Sequence, residues 1–257
     1  MTALVTGAGK RLGRAMALEL AARGHDIAVH YNGSAAEAEE TVAEIQAIGQ
    51  KAVAILATLL AKEAVATLMP RAVDARGQVE VLINSASIFE HDDLASATHD
   101  SWDRHIDSNL RAPFMLTQAL AAQLPPADRD ENGEPQVRGL VINMLDQRVL
   151  KLTPEFMTYT IAKMGLWAFT RTAAQALADK ARVNAIGPGP TMQGSRQSAD
   201  HFAAQRAATI LGRGADPEGI CAALRYFLDA RAVTGQLICV DGGQHLAWET
   251  PDVLGVE

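Results

Sequence analysis

The sequence has few cysteines, no long apolar run and no basic segment, and each absence excludes a class of protein. The only two cysteines, Cys221 and Cys239, lie far apart and form no C-x-x-C motif. This argues against a disulfide framework or a zinc knuckle and favours a reducing compartment. No apolar run approaches the roughly 18 residues that a bilayer-spanning helix needs. The N-terminal residues show no secretion signal, so we expect a cytoplasmic protein with no membrane partner.

The charge balance is acidic: 23 lysines and arginines against 30 aspartates and glutamates give a net charge of −7. Without a basic run the chain cannot neutralise a phosphate backbone, so we expect no nucleic-acid partner. Histidines and aspartates alternate between residues 91 and 105, but their spacing fits no pair of metal ligands. We therefore expect a solvated face there and no metal site.

Short β-branched runs alternate with helix-length stretches along the chain. This alternation predicts an α/β fold with a doubly wound, mostly parallel sheet of about seven strands and helices on both faces. The predicted strands are 4–6, 27–30, 52–56, 79–84, 139–143, 182–185 and 236–240, and the predicted helices are 12–23, 35–48, 61–75, 101–123, 155–179 and 216–229. Residues 125–138 and 187–198 are predicted loops. A length of 257 residues fits one or two domains, and we expect one, spanning residues 1–257, because no composition shift marks a linker.

A glycine-rich segment, TGAGKRLG, links the first predicted strand to the first predicted helix. Gly7, Gly9 and Gly13 would let the backbone approach a pyrophosphate, and the helix N-terminus would supply N–H donors. The spacing is not G-x-G-x-x-G, so a turn without a ligand stays open as an alternative. The position at the start of an alternating β/α chain favours a dinucleotide site.

The end of the second predicted strand, from His30 to Ser34, lacks the acidic residue that binds the ribose 2′-hydroxyl in NAD-selective sites. Arg11 and Ser34 could instead receive a 2′-phosphate, which favours NADPH over NADH. The alternative is that Arg11 is a solvated cation at the helix start.

Tyr159 and Lys163 are four residues apart at the start of a long predicted helix, so they share one face. A lysine cation beside a tyrosine lowers the pKa of the phenol and makes it a usable proton donor or acceptor. A plain surface contact is the alternative.

Several motifs then occur in the order and spacing of the short-chain dehydrogenase/reductase family, which the chain resembles over nearly its whole length. They are Thr6-Gly7, Asn84-Ser85-Ala86-Ser87, Asn109, Tyr159 with Lys163, Pro188-Gly189 and Val240-Asp241-Gly242-Gly243. The resemblance implies a single Rossmann-type domain, an NAD(P) cofactor, a small-molecule substrate and a homotetramer.

The resemblance is nearest to the pteridine reductases, through TGAGKRLG, the segments 30–38 and 109–113, and Asp146. Asp146 stands 13 residues before Tyr159, where the general family has a serine and pteridine reductases have an aspartate. A carboxyl group can recognise the amino-pyrimidine of a pterin or pass a proton to a ring nitrogen. Phe89 matches the phenylalanine on which pteridine reductases stack the pterin, although a core aromatic is the alternative.

The resemblance also implies residue roles. The cofactor would be NADPH, giving its hydride to a pterin C=N bond, with Tyr159 and Asp146 as proton donors. Lys163 would bind the nicotinamide ribose, and Asn109 would hold a water of the proton relay. The implied cofactor site is Gly7, Gly9, Arg11, Leu12, Gly13, Tyr31, Asn32, Ser34, Thr58, Leu59, Ser85, Ala86, Ser87, Tyr159, Lys163, Pro188, Gly189 and Thr191, and the implied substrate site is Ser87, Phe89, Asp146 and Tyr159.

Three positions depart from the pattern. Thr58 replaces an aspartate that holds the adenine, Gly33 replaces an arginine that faces the 2′-phosphate, and Gln193 replaces a threonine that contacts the nicotinamide. We therefore expect a weaker preference for NADPH. Because Asp146 and Tyr159 cannot easily both be anionic, we expect them to titrate together.

Two other functions remain open. One is a reductase of simple carbonyls or 3-oxoacyl chains, in which Asp146 only modifies the pocket. The other is a non-catalytic protein that senses NADP(H), against which the intact set of Asn109, Tyr159 and Lys163 argues.

Overall fold

The predicted strands form one parallel sheet in the computed structural model, which describes residues 1–194 and 197–250. Seven strands lie in the order β3-β2-β1-β4-β7-β8-β9, and the neighbouring strands pair in parallel. The strands in chain order are β1 (Thr2–Val5), β2 (Asp26–Tyr31), β3 (Ala52–Leu56), β4 (Val79–Asn84), β5 (Asp128–Arg129), β6 (Pro135–Gln136), β7 (Gly139–Met144), β8 (Ala181–Pro188) and β9 (Leu237–Val240). The predicted seven-stranded, Rossmann-type sheet is confirmed.

Helices cover both faces of this sheet. They are α1 (Arg11–Ala22), α2 (Ala35–Ala47), α3 (Lys62–Arg76), α4 (His99–Ile106), α5 (Ala112–Gln123), α6 (Met157–Ala176), α7 (Ala199–Ala207) and α8 (Pro217–Asp229). One core lies under α1, α2 and α8 and includes Leu20 and Phe227, and the other lies under α3, α5 and α6 and includes Leu68 and Leu116. Within the described residues, no helix has both the length and the apolar character needed to cross a membrane.

The predicted helix 101–123 is interrupted. α4 ends at Ile106, and a π-helical segment, Asp107–Arg111, separates it from α5. Pro113 has no N–H, so it cannot donate to the carbonyl of Asn109 as an α-helix requires. The backbone takes the wider register instead, and the Ala112 N–H donates to the Asp107 carbonyl.

Both predicted loops contain regular structure that periodicity did not reveal. β5 and β6 form a small antiparallel hairpin within 125–138, and Gly133 turns it with a φ of +78°. β8 extends to Pro188, further than predicted, and Ser198 caps α7, which was not predicted. Elements this short carry too little pattern to be distinguished from a loop.

The strand order places the functional loops together. Because all seven strands are parallel, the loops that follow them emerge along one edge of the sheet. The order reverses between β1 and β4, and ligands of such sheets bind in the crevice at this point.

Candidate functional site

The loops after β1 and β4 pack closely at the crevice. The Thr6 hydroxyl accepts hydrogen bonds from the backbone N–H groups of Ser85 (2.9 Å) and Ala86 (3.0 Å). Gly7 has a φ of +66°, and a Cβ there would lie 3.0 Å from the Ala86 Cα. A Cβ at Gly13 would lie 2.2 Å from the Gly7 carbonyl oxygen. Only glycine permits this close approach of the two loops and the start of α1.

The N-terminus of α1 fits a phosphate group. Lys10 is the N-cap residue, but its side chain makes no cap hydrogen bond, and the first turn contains no acidic residue. The first N–H groups of a helix lack partners within the helix, and the helix dipole favours an anion beside them. The sequence prediction of a pyrophosphate site is therefore compatible with the local geometry.

His30 organises this end of the site and was given no role by the sequence. Its Nδ1 accepts the Gly7 N–H (3.1 Å), and its Nε2 donates to the Ala57 carbonyl (3.0 Å). Burial lowers the pKa of His30 to about 4, with Arg71 adding to the effect and the Ala57 hydrogen bond opposing it. A neutral His30 therefore joins the glycine-rich loop to the ends of β2 and β3.

The adjacent cations Lys10 and Arg11 reach opposite sides of the glycine-rich loop. The guanidinium of Arg11 donates to the carbonyls of Met192 (2.9 Å) and Gln193 (2.8 Å), after β8. Lys10 instead forms an ion pair with Glu37, in the first turn of α2 and next to the N-cap residue Ser34. The expectation that Arg11 and Ser34 receive a 2′-phosphate stays a prediction, and in this structure the Arg11 guanidinium bonds to the backbone across the crevice.

The ends of β2 and β3 carry the other residues of the predicted adenosine side of the site. Thr58 accepts a hydrogen bond from the Leu60 N–H (3.4 Å), and Leu59 is buried. Tyr31 is half-buried and Asn32 is exposed at the end of β2. A Cβ at Gly33 would meet no atom within 4 Å. A larger side chain would therefore fit where the family resemblance led us to expect an arginine.

The end of β8 contributes Pro188 and Gly189. A Cβ at Gly189 would lie 2.6 Å from the Asp241 Cα, so this loop packs directly on the segment after β9. Thr191 is buried, and its hydroxyl donates to the Gly189 carbonyl (3.0 Å). The Gln193 amide donates to the Gln197 carbonyl.

Asp146, Tyr159, Lys163 and Ser87 come together at the centre of the edge. The Tyr159 hydroxyl donates to Asp146 Oδ2 (3.1 Å), and the Ser87 side chain is near enough to affect the pKa of Tyr159. The buried ammonium of Lys163 donates to the Met144 carbonyl (2.7 Å) and lies 5.6 Å from the centroid of the Tyr159 ring. Residues after β4 and after β7 thus converge with residues of α6 on one phenol.

The pKa of Tyr159 differs from the expectation. Burial raises it well above its usual value, and the charge and hydrogen bond of Asp146 raise it further, while Arg148 and Ser87 oppose the shift. The prediction that Lys163 lowers this pKa is wrong here, because burial and Asp146 dominate. The direction agrees with the expected coupling of Asp146 and Tyr159. Burial also lowers the pKa of Lys163 to about 8, with Asp146 opposing.

Asn109 is fully buried in the π-helical segment. Its Oδ1 accepts the Ile88 N–H (2.9 Å), and its Nδ2 donates to the Ile88 carbonyl (2.8 Å). Its side chain thus fixes the backbone beside Phe89. The predicted role of Asn109 in holding a water stays a prediction.

Phe89 is 44% exposed, so the alternative that it is a core aromatic is wrong. Its ring stacks on Phe156, with centroids 4.3 Å apart and planes at 9°, and meets Tyr159 edge to face at 4.7 Å. Phe156 precedes α6 with a φ of +57°, which is unusual for a bulky residue. Sequence reasoning missed Phe156; its position three residues before Tyr159 was the available signal.

The predicted solvated face at 91–105 is wrong for Asp92 and His105, which are buried. The Asp92 carboxylate accepts from the Thr158 N–H (3.1 Å), the Thr158 hydroxyl and the Ser101 hydroxyl (3.1 Å). The Asp92 carbonyl accepts the Met157 N–H (3.2 Å). His105 Nδ1 contacts the Thr158 hydroxyl at 2.7 Å. These groups hold the first turn of α6, which carries Tyr159.

Comparisons with known proteins agree with this geometry. A family model described as short chain dehydrogenase matches residues 1–203. The 3-oxoacyl-[acyl-carrier-protein] reductase FabG of Staphylococcus epidermidis is 32% identical over 250 residues, covering 95% of this chain and 99% of that protein. The crystal structure of FolM alternative dihydrofolate reductase 1 from Brucella canis, complexed with NADP, is 41% identical with a TM-score of 0.90, covering 98% of this chain and 96% of that one.

A more distant structure, the landomycin C-6 ketoreductase LanV with bound NADP and rabelomycin, is 27% identical with a TM-score of 0.83 and covers 96% of both chains. The strand order, the glycine-rich loop after β1 and the meeting of Tyr159 with Lys163 are the features that the family resemblance led us to expect. With the match over residues 1–203, they show that the chain belongs to the short-chain dehydrogenase family.

Proposed function

We propose that this protein is an NADPH-dependent reductase that reduces a C=N bond of a pterin. The hydrogen bond from Tyr159 to Asp146 carries the proposal, because it sets a carboxyl group beside the phenol where the general family has a serine. The 41% identity to FolM over nearly the whole chain supports the same branch of the family.

A dinucleotide would lie along the edge of the sheet at which the loops after the strands carry most of the predicted cofactor residues. The uncapped start of α1 and the close-packed Gly7 and Gly13 would hold the pyrophosphate, and Lys10 with Ser34 would meet the 2′-phosphate. Thr58 and Leu59 would contact the adenine. When bound, NADPH supplies the hydride.

Tyr159 and Asp146 would form the pair that donates a proton to the substrate. The raised pKa of Tyr159 keeps its phenol protonated at neutral pH, so it can serve as a donor. The Asp146 carboxylate accepts a hydrogen bond from the Tyr159 hydroxyl. Its two oxygens could also accept hydrogen bonds from amino and ring N–H groups of a pterin. Lys163 orders the segment before Asp146 through the Met144 carbonyl.

A 3-oxoacyl reductase is the second candidate. The FabG relatives, at 32% identity over almost their whole length, favour it. The aspartate at 146 argues against it, because a carboxylate beside a substrate carbonyl would repel the developing negative charge.

The two candidates differ in which substrates oxidise NADPH. We would follow NADPH absorbance with dihydrobiopterin, dihydrofolate and a set of ketones and 3-oxoacyl thioesters. We expect oxidation with the pterins. Turnover of the carbonyl compounds alone would replace the pterin proposal with the second candidate.

Replacing the carboxyl group tests the role of Asp146. We expect Asp146→Ser to lower kcat/KM for the pterin at least about 100-fold, the size of a general acid–base contribution, and to leave the Kd for NADPH within about twofold. Asp146→Asn is the matched control for shape, since it keeps the volume but cannot transfer a proton. Equal losses of pterin reduction and NADPH binding would contradict the assignment of Asp146 to the substrate.

The assembly and location of the protein are also proposals. Phe114 and Met115 on α5 and Ile161 and Met164 on α6 are exposed apolar side chains, which supports burial between copies in a homotetramer of single-domain chains. The free thiols of Cys221 and Cys239 support a cytoplasmic location. Sedimentation equilibrium would measure the assembly.

A further inference from the structure

One buried imidazole, that of His105 in α4, joins the chain beside Phe89 to the chain beside Tyr159. Its Nε2 accepts the backbone N–H of Glu90 (3.2 Å), the residue that follows Phe89. Its Nδ1 lies 2.7 Å from the hydroxyl of Thr158, the residue that precedes Tyr159. The side chain therefore connects the loop after β4 to the first turn of α6.

The direction of these hydrogen bonds follows from the chemistry of the groups. A backbone amide can only donate, so Nε2 is an acceptor and the proton of the neutral ring is on Nδ1. Nδ1 then donates to the Thr158 hydroxyl, which donates to the Asp92 carboxylate. Burial lowers the pKa of His105 although the charges of Asp92 and Glu90 oppose the shift, so the ring is neutral at neutral pH. Both ring nitrogens are used, and breaking either bond leaves a buried group unpaired.

Phe89 is held at both of its backbone neighbours from one stretch of helix. Asn109, four positions after His105, accepts the Ile88 N–H and donates to the Ile88 carbonyl. His105 accepts the Glu90 N–H on the other side of Phe89. The backbone of Phe89 is therefore placed by α4 and the π-helical segment, and the loop after β4 does not set it alone.

The imidazole also contacts the proton donor directly. The rings of His105 and Tyr159 pack edge to face, with centroids 6.0 Å apart. The Phe89 ring meets the same tyrosine ring at 4.7 Å. A change in the position of the imidazole would thus move the Phe89 ring and the Tyr159 phenol relative to each other. Such displacements matter in a reaction, because a misplacement of about 1 Å can cost about 100-fold in rate.

We propose that His105 is a positioning residue that sets the distance between the Phe89 ring and the Tyr159 phenol, and so aligns a pterin on Phe89 with its proton donor. The bond to Glu90 places the side that binds the pterin ring, and the bond to Thr158 places the side that donates the proton. This inference rests on the proposed pterin reductase function.

Amide side chains at position 105 separate the two bonds, because asparagine brings its amide near the Nδ1 position and glutamine near the Nε2 position. His105→Gln keeps an acceptor for Glu90 and loses the donor to Thr158. We expect its kcat for dihydrobiopterin to fall at least about tenfold and its KM to stay within about twofold. His105→Asn keeps the donor and loses the acceptor, and we expect its KM to rise at least about fivefold and its kcat to stay within about twofold.

Position 158 supplies a matched pair of variants. Thr158→Val removes the hydroxyl that His105 contacts, and we expect it to reproduce the kcat loss of His105→Gln. Thr158→Ser keeps the hydroxyl, so its kcat should lie within about twofold of the wild type.

His99→Asn is the control on the same helix. This histidine is exposed at the start of α4, and we expect its replacement to leave kcat and KM within about twofold. Melting temperatures of all variants would report on folding.

Equal changes of kcat and KM in the two His105 variants, in proportion to their loss of melting temperature, would show that His105 only supports the fold. That result would overturn this inference while leaving pterin reduction intact, and wild-type constants in both variants would overturn it as well. Absence of pterin reduction by the wild type would instead overturn the proposed function. The bond to Thr158 would then be tested by the kcat of the same variants on the carbonyl compound that the enzyme reduces.

Discussion

At the scale of single residues, adjacent cations in the glycine-rich loop have different partners. Lys10 reaches Glu37 at the start of α2, whereas Arg11 reaches the backbone after β8. Arg11 has a left-handed backbone, with a φ of +52°, and Lys10 is extended, with a φ of −143°. Side chains on such different backbones leave the chain in different directions, so neighbours in sequence are not neighbours in the site.

Lys10 therefore gives a prediction about coenzyme choice. We expect Lys10→Ala to raise the KM for NADPH about tenfold and to leave the KM for NADH within about twofold, because only NADPH carries the 2′-phosphate. Steady-state kinetics with both coenzymes at low salt would measure the ratio. Arg11→Ala is the matched control, and a larger change of the ratio in that variant would assign the 2′-phosphate to Arg11 instead.

At the scale of elements, the start of α6 depends on a residue far away in sequence. Phe156, the N-cap residue, supplies no cap hydrogen bond. Asp92 takes that place, accepting from the N–H groups of both Met157 and Thr158. Burial alone would raise the pKa of Asp92, but hydrogen bonds from Thr158 and Ser101 lower it overall. The loop after β4 therefore sets where α6 begins and where Tyr159 lies.

Removing the Asp92 side chain tests how much this cap contributes to stability and to the placement of Tyr159. We expect Asp92→Ala to lower the free energy of unfolding by roughly 1–3 kcal/mol, because buried donors lose their acceptor, and to reduce kcat more than it changes KM. Urea unfolding and steady-state kinetics would measure both. The control is Asp93→Ala, since the half-buried Asp93 side chain accepts only from groups of its own turn. Equal stability of the two variants would refute the capping role of Asp92.

At the scale of the whole molecule, His30 links stability to pH. Its pKa falls from 6.5 to about 4 on burial. Between these values the unfolded chain binds a proton that the folded chain does not, so stability is full above pH 6.5 and is lost as the pH falls towards 4. The slope for one such group approaches about 1.4 kcal/mol per pH unit. Burial also lowers the pKa of His25, which acts in the same direction.

Replacing His30 should therefore reduce the slope of the free energy of unfolding against pH. We expect His30→Asn to be less stable than the wild type at neutral pH, because the contacts to Gly7 and Ala57 are altered, but to lose stability less steeply between pH 6.5 and 4. Urea unfolding across that range would measure the slopes. His201→Asn, at an exposed site, serves as the control. Identical slopes in all three proteins would exclude His30 as the source.

The order of strands and helices was predictable because apolar residues recur at one spacing in strands and at another in helices. β3 and β4 have the predicted limits, and all seven predicted strands pair in one sheet. The π-helical segment and the β5 and β6 hairpin were not predictable, because the first depends on the missing N–H of Pro113 within an apolar helix and the second has strands of two residues. Periodicity carries no signal at that length.

The sequence by itself determined the alternation of strands and helices, the glycine-rich loop, and the presence of Asp146, Tyr159 and Lys163. These features depend only on residue types and their spacing along the chain, which packing does not change. Tertiary structure decided which groups are buried, and burial with Asp146 raised the pKa of Tyr159 against the expected effect of Lys163. It also decided the partners of Arg11 and Lys10. Desolvation and side-chain direction arise from contacts between residues far apart in the chain, and no local pattern encodes them.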